Sequence, residues 1–369
     1  MEALLESNRF SSCYNAGESG HCPQKLDDLL SGLQTAFSYN LREALLDIPL
    51  SDAPNMGTIE LRDEVASLHP GASIEHVLIT TGTSEAFFLL MRQLRPSKVA
   101  VITPAFQLLT EIPRSQGAKV VSLGVIWDEL GRPIASIREW VKTIVTERPD
   151  VLILNHPHNP TGLTFSAEQL SELTEAAESV QCCVVGDEHY RFLHSNEALG
   201  PTVYSEGRFV TGSFIKCSGT PGLRVGWCVG DPSVLREMQS EKNYLTHTVN
   251  PLSQKLSYWF LNAFSRQHDY FQRLRNDWLA NRTRLESWFQ EQSLWQGQPP
   301  QGGLVTCIFP NPKHKSVLLK RLNDFGVFLL PLSTFRENHE CDERFFTSFR
   351  LGLGLSQSQF KQMLSVMVP

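Results

Sequence analysis

The sequence has no run of about 18 apolar residues, so none of it reads as a membrane-spanning helix. It also has no run of lysine and arginine, and its net charge of −6 argues against nucleic acid or an anionic membrane as partner. The opening MEALLESNRFSSCYNAGESG lacks a charged start followed by an apolar stretch, so no secretory signal is expected. No pair among the eight cysteines has CxxC spacing. Free, reduced thiols and a cytoplasmic location are the expectation. Neither GxGxxG nor GxxxxGK[ST] occurs, which leaves the common dinucleotide and P-loop sites without a sequence basis. His156 and His158 flank a proline with no third ligand nearby, so no metal centre is expected.

What is present is a globular composition, 41% hydrophobic and 20% charged over 369 residues, a length that fits two domains. Seven short apolar runs fall at His76–Thr80, Lys98–Ile102, Lys119–Leu123, Val151–Leu154, Cys182–Val185, Arg208–Thr211 and Val225–Val229. Continuous runs of this length suit strands covered on both faces. Helical spacing separates them, as at Leu170, Leu173 and Ala177 behind a Ser166/Gln169 capping box. Strand–helix alternation predicts an α/β fold with a mostly parallel sheet sandwiched by helices. After about residue 250 the texture changes. A long helix is expected over 268–290, strands over Gly302–Phe309 and Val327–Leu330, and a last helix burying Phe360, Met363, Leu364 and Met367. That is a smaller α+β unit. Residues 1–22 are polar and Gly/Ser-containing, and read as adaptable.

In an open α/β sheet, ligands bind beyond the carboxyl ends of the strands. The residues that follow the apolar runs are therefore the candidates. They are Thr81-Gly-Thr-Ser-Glu85, Thr103-Pro-Ala-Phe106, Asn155-His-Pro-His-Asn-Pro-Thr-Gly162, Gly186-Asp-Glu-His-Tyr190 and Gly212-Ser-Phe-Ile-Lys216. Each has a plain reading by itself. The Gly-Thr-Ser turn is a possible phosphate cradle, but NPTG alone is a turn, Asp187-Glu188 a cap, and a lysine after a strand is usually solvated.

Taken together, NPTG, DEHYR and SFIKxxGTPGLRVGW, in this order, resemble the fold-type I pyridoxal-5′-phosphate (PLP) enzymes of the class I/II aminotransferase family. The resemblance runs from about Gly57 to the C-terminus. It implies a large PLP-binding domain over 48–255. A small domain would join 1–47 to 256–369, with an N-terminal segment covering the substrate. It implies PLP carried on Lys216 as a Schiff base, with the same lysine moving the α-proton. Asp187 would pair with the pyridine nitrogen. Asn159 and Tyr190 would bond the ring oxygen, and Phe106 would stack on the ring. Thr83, Ser84, Ser213 and Arg224 would hold the phosphate, and Arg350 the substrate α-carboxylate. It also implies a homodimer with shared active sites. One departure stands out: the stretch IPLSDAPNMG lacks the tyrosine that such enzymes lend to the neighbouring subunit's phosphate.

These motifs serve transaminases, lyases, cyclases and oxidases alike. YNAGESGHCP resembles the Ser-Gly-containing segment of the capreomycidine synthase and enduracididine cyclase group. Glu18 and Asp52 are acids that could receive a guanidinium, and the resemblance implies that the stretch holding Asp52 lines the neighbouring subunit's active site. The expectation is cyclodehydration of a γ- or β-hydroxyarginine, with an ordinary keto-acid-dependent aminotransferase and a PLP-dependent arginine oxidase as alternatives. An effector-sensing transcription regulator is disfavoured, because only about 50 non-basic residues precede Gly57.

Overall fold

All seven apolar runs form strands of one sheet. A computed structural model describes residues 1–193, 202–335 and 347–369. In chain order the strands are β1 (Val77–Thr80), β2 (Lys98–Thr103), β3 (Lys119–Gly124), β4 (Val151–Asn155), β5 (Cys183–Asp187), β6 (Phe209–Gly212) and β7 (Gly226–Val229). They lie side by side as β1-β7-β6-β5-β4-β2-β3. Only β7 runs antiparallel to its neighbours.

The runs are continuous because both faces are covered. Leu152 and Leu154 join one core with Trp259 and Phe260, while Val151 and Ile153 point the other way into a core with Phe87 and Leu90. The helix Ala167–Ser179 opens with the expected capping box, Ser166 Oγ accepting from Gln169 N–H at 3.3 Å and Gln169 Oε1 accepting from Ser166 N–H at 3.0 Å.

A second, antiparallel sheet contains β8 (Trp295–Gly297), β9 (Val305–Pro310), β10 (Leu330–Pro331) and β11 (Phe349–Gly352), in the order β8-β9-β11-β10. The helices Asp269–Glu291 and Gln357–Met367 cover it, and the latter buries Phe360, Met363, Leu364 and Met367. Trp278 is fully buried there, and its Nε1 donates to Gly303 O at 2.8 Å. Trp278→Ala should therefore cost about 3–5 kcal/mol, read as a lowered denaturant midpoint. An unchanged midpoint would contradict this packing.

Two regions differ from expectation. Position 255 falls inside the helix Pro251–Ser265, and Leu29, Leu30, Leu33 and Leu41 share the core of the seven-stranded sheet. Those leucines pack beside Leu61, Val65 and Phe260, so residues 26–46 do not side with the smaller sheet. The first residues also form a helix, Glu2–Asn8. Seven residues are too few to show a period in the sequence; the helix is held by Leu5, which packs with Cys307, Phe309, Leu330, Leu332 and Phe335. The strand Tyr14–Asn15 then pairs in parallel with Val327–Phe328, which ties the N-terminal segment to the smaller sheet.

No helix among the described residues is long and apolar enough to cross a membrane. The seven described cysteines are free, and Cys341 lies outside the described residues.

Candidate active site

Beyond the carboxyl ends of these strands lies a cavity of about 550 Å³. Its lining includes Thr83, Ser84, Phe106, Asn159, Asp187, Ser213, Lys216, Arg224, Arg350 and Glu18, residues that come from nearly every part of the chain. Asp187 ends β5 in register with Asn155 of β4 and Thr211 of β6. It is buried. Its Oδ2 accepts from Asn155 Nδ2 at 3.0 Å, and its Oδ1 lies 3.2 Å from His189 Nδ1 and 3.4 Å from Thr211 Oγ1.

One end of the cavity is built for an anion. The helix Thr83–Leu94 begins there at Gly82, whose φ of +83° exposes the first N–H groups. A Cβ at Gly82 would lie 2.7 Å from Arg224 Nη2, so the guanidinium sits directly against this helix start. Among the described residues the Arg224 guanidinium has no carboxylate partner; its one hydrogen bond is a long one to Pro221 O, 3.5 Å. Ser213 stands beside it, its hydroxyl donating to Val225 O at 2.8 Å.

Lys216 lies on the short helix Ile215–Ser218. Burial is the largest influence on its amine and drives it below the usual lysine range. Arg350 and Arg224 push the same way, while Glu18 and Glu2 oppose them. A neutral amine is the form that attacks a carbonyl or accepts a proton. Arg350, on β11, is buried. Its Nη1 donates to Asn159 Oδ1 at 3.1 Å and its Nη2 to Gly17 O, while its Nε has no partner among the described residues. Burial also lowers its pKa, yet a guanidinium stays charged. A dry cation with a spare donor is a site for a carboxylate.

The roof comes from the N-terminus. Ala16 O accepts from Gly352 N–H at 2.7 Å, His21 N–H donates to Lys216 O at 2.9 Å, and Cys22 N–H donates to Gly354 O at 2.7 Å. This strap lays Glu18 into the cavity, where it meets Arg9 Nε at 2.9 Å. Met1, Glu2 and Leu5 of the first helix complete the roof.

Two expected site residues are placed elsewhere. Tyr190 is fully buried beside the cavity without lining it, and its hydroxyl donates to Ser19 O at 2.7 Å. Burial pushes this phenol well above its usual range. Asp52 is exposed in a separate cleft of about 520 Å³ with Lys255 and Tyr258, so it does not join this chain's cavity. His156 and His158 are buried in the fold, with His158 Nδ1 2.7 Å from Thr161 Oγ1. Among the described residues no group of three or more His, Cys, Asp or Glu is arranged to hold a metal.

The motifs give no role to Asn155, Thr211 and His189 around Asp187, nor to Glu2 and Arg9 in the roof. For Asn155 and Thr211 a usable sign existed, since each ends or nears the end of a predicted strand that flanks the Asp187 strand. For Glu2 and Arg9 there was none.

The profile of the aminotransferase class I and II family matches residues 50–367. Capreomycidine synthase of Streptomyces vinaceus is 30% identical over 215 residues, 56% of this chain; the match spans about half of that protein, 53%. A probable N-succinyldiaminopimelate aminotransferase of Mycobacterium tuberculosis is 28% identical over 303 residues, 76% of this chain and 74% of the relative. Among solved structures, a PLP-dependent aminotransferase from Streptococcus suis superposes with a TM-score of 0.86 at 21% identity, covering 99% of this chain and 95% of that one. The PLP-dependent cyclase OrfR gives 0.84 at 22% identity, with 99% and 94% covered. At these identities the two structures speak for a shared fold.

Proposed function

This chain belongs to the aminotransferase class I and II family, whose cofactor is pyridoxal 5′-phosphate, and from that premise we propose that it converts a γ- or β-hydroxylated arginine into a cyclic guanidine amino acid with loss of water. The residues present fit the cofactor. The helix start at Thr83 and Ser84, with Ser213 and the unpaired Arg224, suits a phosphate dianion, and the close approach at Gly82 leaves the guanidinium room beside it. Asp187 would take the pyridine nitrogen, Phe106 a ring face, and Asn159 the ring oxygen. Tyr190 would join Asn159 only by releasing Ser19. Lys216 would be the covalent anchor.

When bound, the cofactor supplies an electron sink for the pair left on Cα after its proton departs. The chain supplies the rest. Arg350 holds the α-carboxylate, and the Lys216 amine takes and returns the Cα proton. Glu18 and Glu2 draw the guanidinium to the roof. The strap excludes water, so a guanidine nitrogen, and not solvent, closes on the carbon that loses its hydroxyl. In balance, a C–O bond breaks, a C–N bond forms, and the hydroxyl leaves as water with a guanidine proton.

The observation that carries this reading is one cavity with the buried Arg350 on its wall and two carboxylates, Glu2 and Glu18, in its roof. It suits an amino acid with a cationic tail. The identity with capreomycidine synthase supports the same choice. The longer match to the succinyldiaminopimelate aminotransferase favours a second reading, amino-group transfer to a keto acid. Incubation with γ-hydroxyarginine and no keto acid separates them. A product lighter by one water, amine retained, is expected; strict dependence on a keto acid would overturn the cyclase reading.

Glu18→Gln should raise KM for the cationic substrate about tenfold, near 1.4 kcal/mol, and leave KM for a neutral amino acid unchanged. The modest size reflects a carboxylate 30% exposed and already paired with Arg9. Equal effects on both substrates would remove Glu18 from guanidinium recognition. The same proposal has two copies form a dimer. Leu46 and Leu50, 85% and 83% exposed near the Asp52 cleft, are apolar surface of the kind a partner covers.

A further inference from the structure

Asp187 is a buried carboxylate without a strong cation. It is 5% exposed, and among the described residues no lysine or arginine lies within ion-pair distance of it. Leaving a carboxylate in such surroundings is costly unless donors satisfy both oxygens. Asn155 secures Oδ2 at 3.0 Å. On Oδ1 the Thr211 hydroxyl is long, at 3.4 Å, which leaves His189 Nδ1 at 3.2 Å as the nearer donor.

A carboxylate only accepts, so the shared proton sits on His189 Nδ1. The ring is fixed for that task. It is 8% exposed, packs against Tyr190 with centroids 4.2 Å apart, and its backbone carbonyl accepts from Cys217 Sγ at 3.5 Å. It also lines the cavity beside Asp187.

We propose that His189 is a positioning residue that holds the Asp187 carboxylate, through its Nδ1–H, in the orientation that serves the cofactor's pyridine nitrogen. Aspartate χ2 is a broad torsion, so a carboxylate tethered at one oxygen swings. Donors on both oxygens stop that rotation. The inference rests on the assignment of Asp187 to the pyridine nitrogen.

The test uses the full-length apoenzyme titrated with pyridoxal 5′-phosphate, following tryptophan quenching for Kd and the absorption spectrum of the bound cofactor. His189→Val removes the donor and should weaken binding about tenfold and shift the spectrum. His189→Asn places an amide N–H near the lost Nδ1–H and should restore binding to within about threefold of wild type. Thermal melts of both variants report folding. A wild-type Kd and spectrum in His189→Val would overturn the proposal. So would equal weakness of His189→Asn and His189→Val, since that marks lost ring volume and not a lost donor. Asp187→Asn is the separate control: if it leaves Kd and spectrum unmoved, the assignment of Asp187 itself fails, whatever His189 does.

Discussion

Lys216→Ala is expected to lower kcat by about 10⁴-fold, the largest loss of any single substitution in this chain. Two functions disappear together. On the proposed assignment the covalent hold on the cofactor would be lost, and so would the amine that moves the Cα proton, a kind of step worth about 10²–10⁴-fold alone. Four of the cavity's polar neighbours are poor substitutes. Arg350 and Arg224 are permanently charged, Glu18 is paired with Arg9, and Tyr190 has its hydroxyl on Ser19. The fold should survive, because Lys216 holds the strap through its backbone carbonyl, which alanine keeps. Two measurements check this. Borohydride followed by intact mass should add the cofactor to wild type and not to the variant. Turnover within tenfold of wild type would place the proton transfer on another residue.

Arg350→Lys should lower kcat/KM by roughly 10²–10³-fold, mainly through KM, as expected for a loss of about 3–4 kcal/mol at a buried charge contact. Charge is retained, so the loss would come from geometry. The guanidinium reaches Asn159 Oδ1 and Gly17 O at once and keeps Nε free for a further acceptor. It also lies over Phe335, 5.2 Å from the ring centroid. An ammonium is a point charge that cannot span these partners and hold a carboxylate by a fork. The strap would loosen too, since Gly17 belongs to it. An unchanged KM for the amino acid would show that Arg350 serves only to pin the strap.

Much of this site was legible before the fold was known, for a topological reason. In a mostly parallel sheet the strand ends collect at one edge, so Thr83, Phe106, Asn159, Asp187 and Lys216, each just beyond an apolar run, had to face one crevice. Arg224 and Arg350 came from the motifs. What stayed hidden depends on contacts between distant parts of the chain. The Tyr190 hydroxyl goes to a carbonyl 171 residues away, and no local pattern foretells that. Asp52, in the stretch expected at the neighbouring subunit's site, lies exposed in another cleft of this chain with Lys255 and Tyr258. The helix Glu2–Asn8 has no sequence signal of its own, because its order comes from a seat made by Cys307, Phe309, Leu330, Leu332 and Phe335.

By itself the sequence determined the sheet, the cofactor class and the lysine proposed as its anchor, because apolar periodicity and short motifs are local properties. Only the tertiary structure decided which acids line the cavity. It set Glu2 and Glu18 in the roof, put Asp52 in a separate cleft, and gave Asp187 its partner in His189. Those placements depend on strap, sheet edge and smaller sheet closing on one another, and burial and orientation exist only once they do.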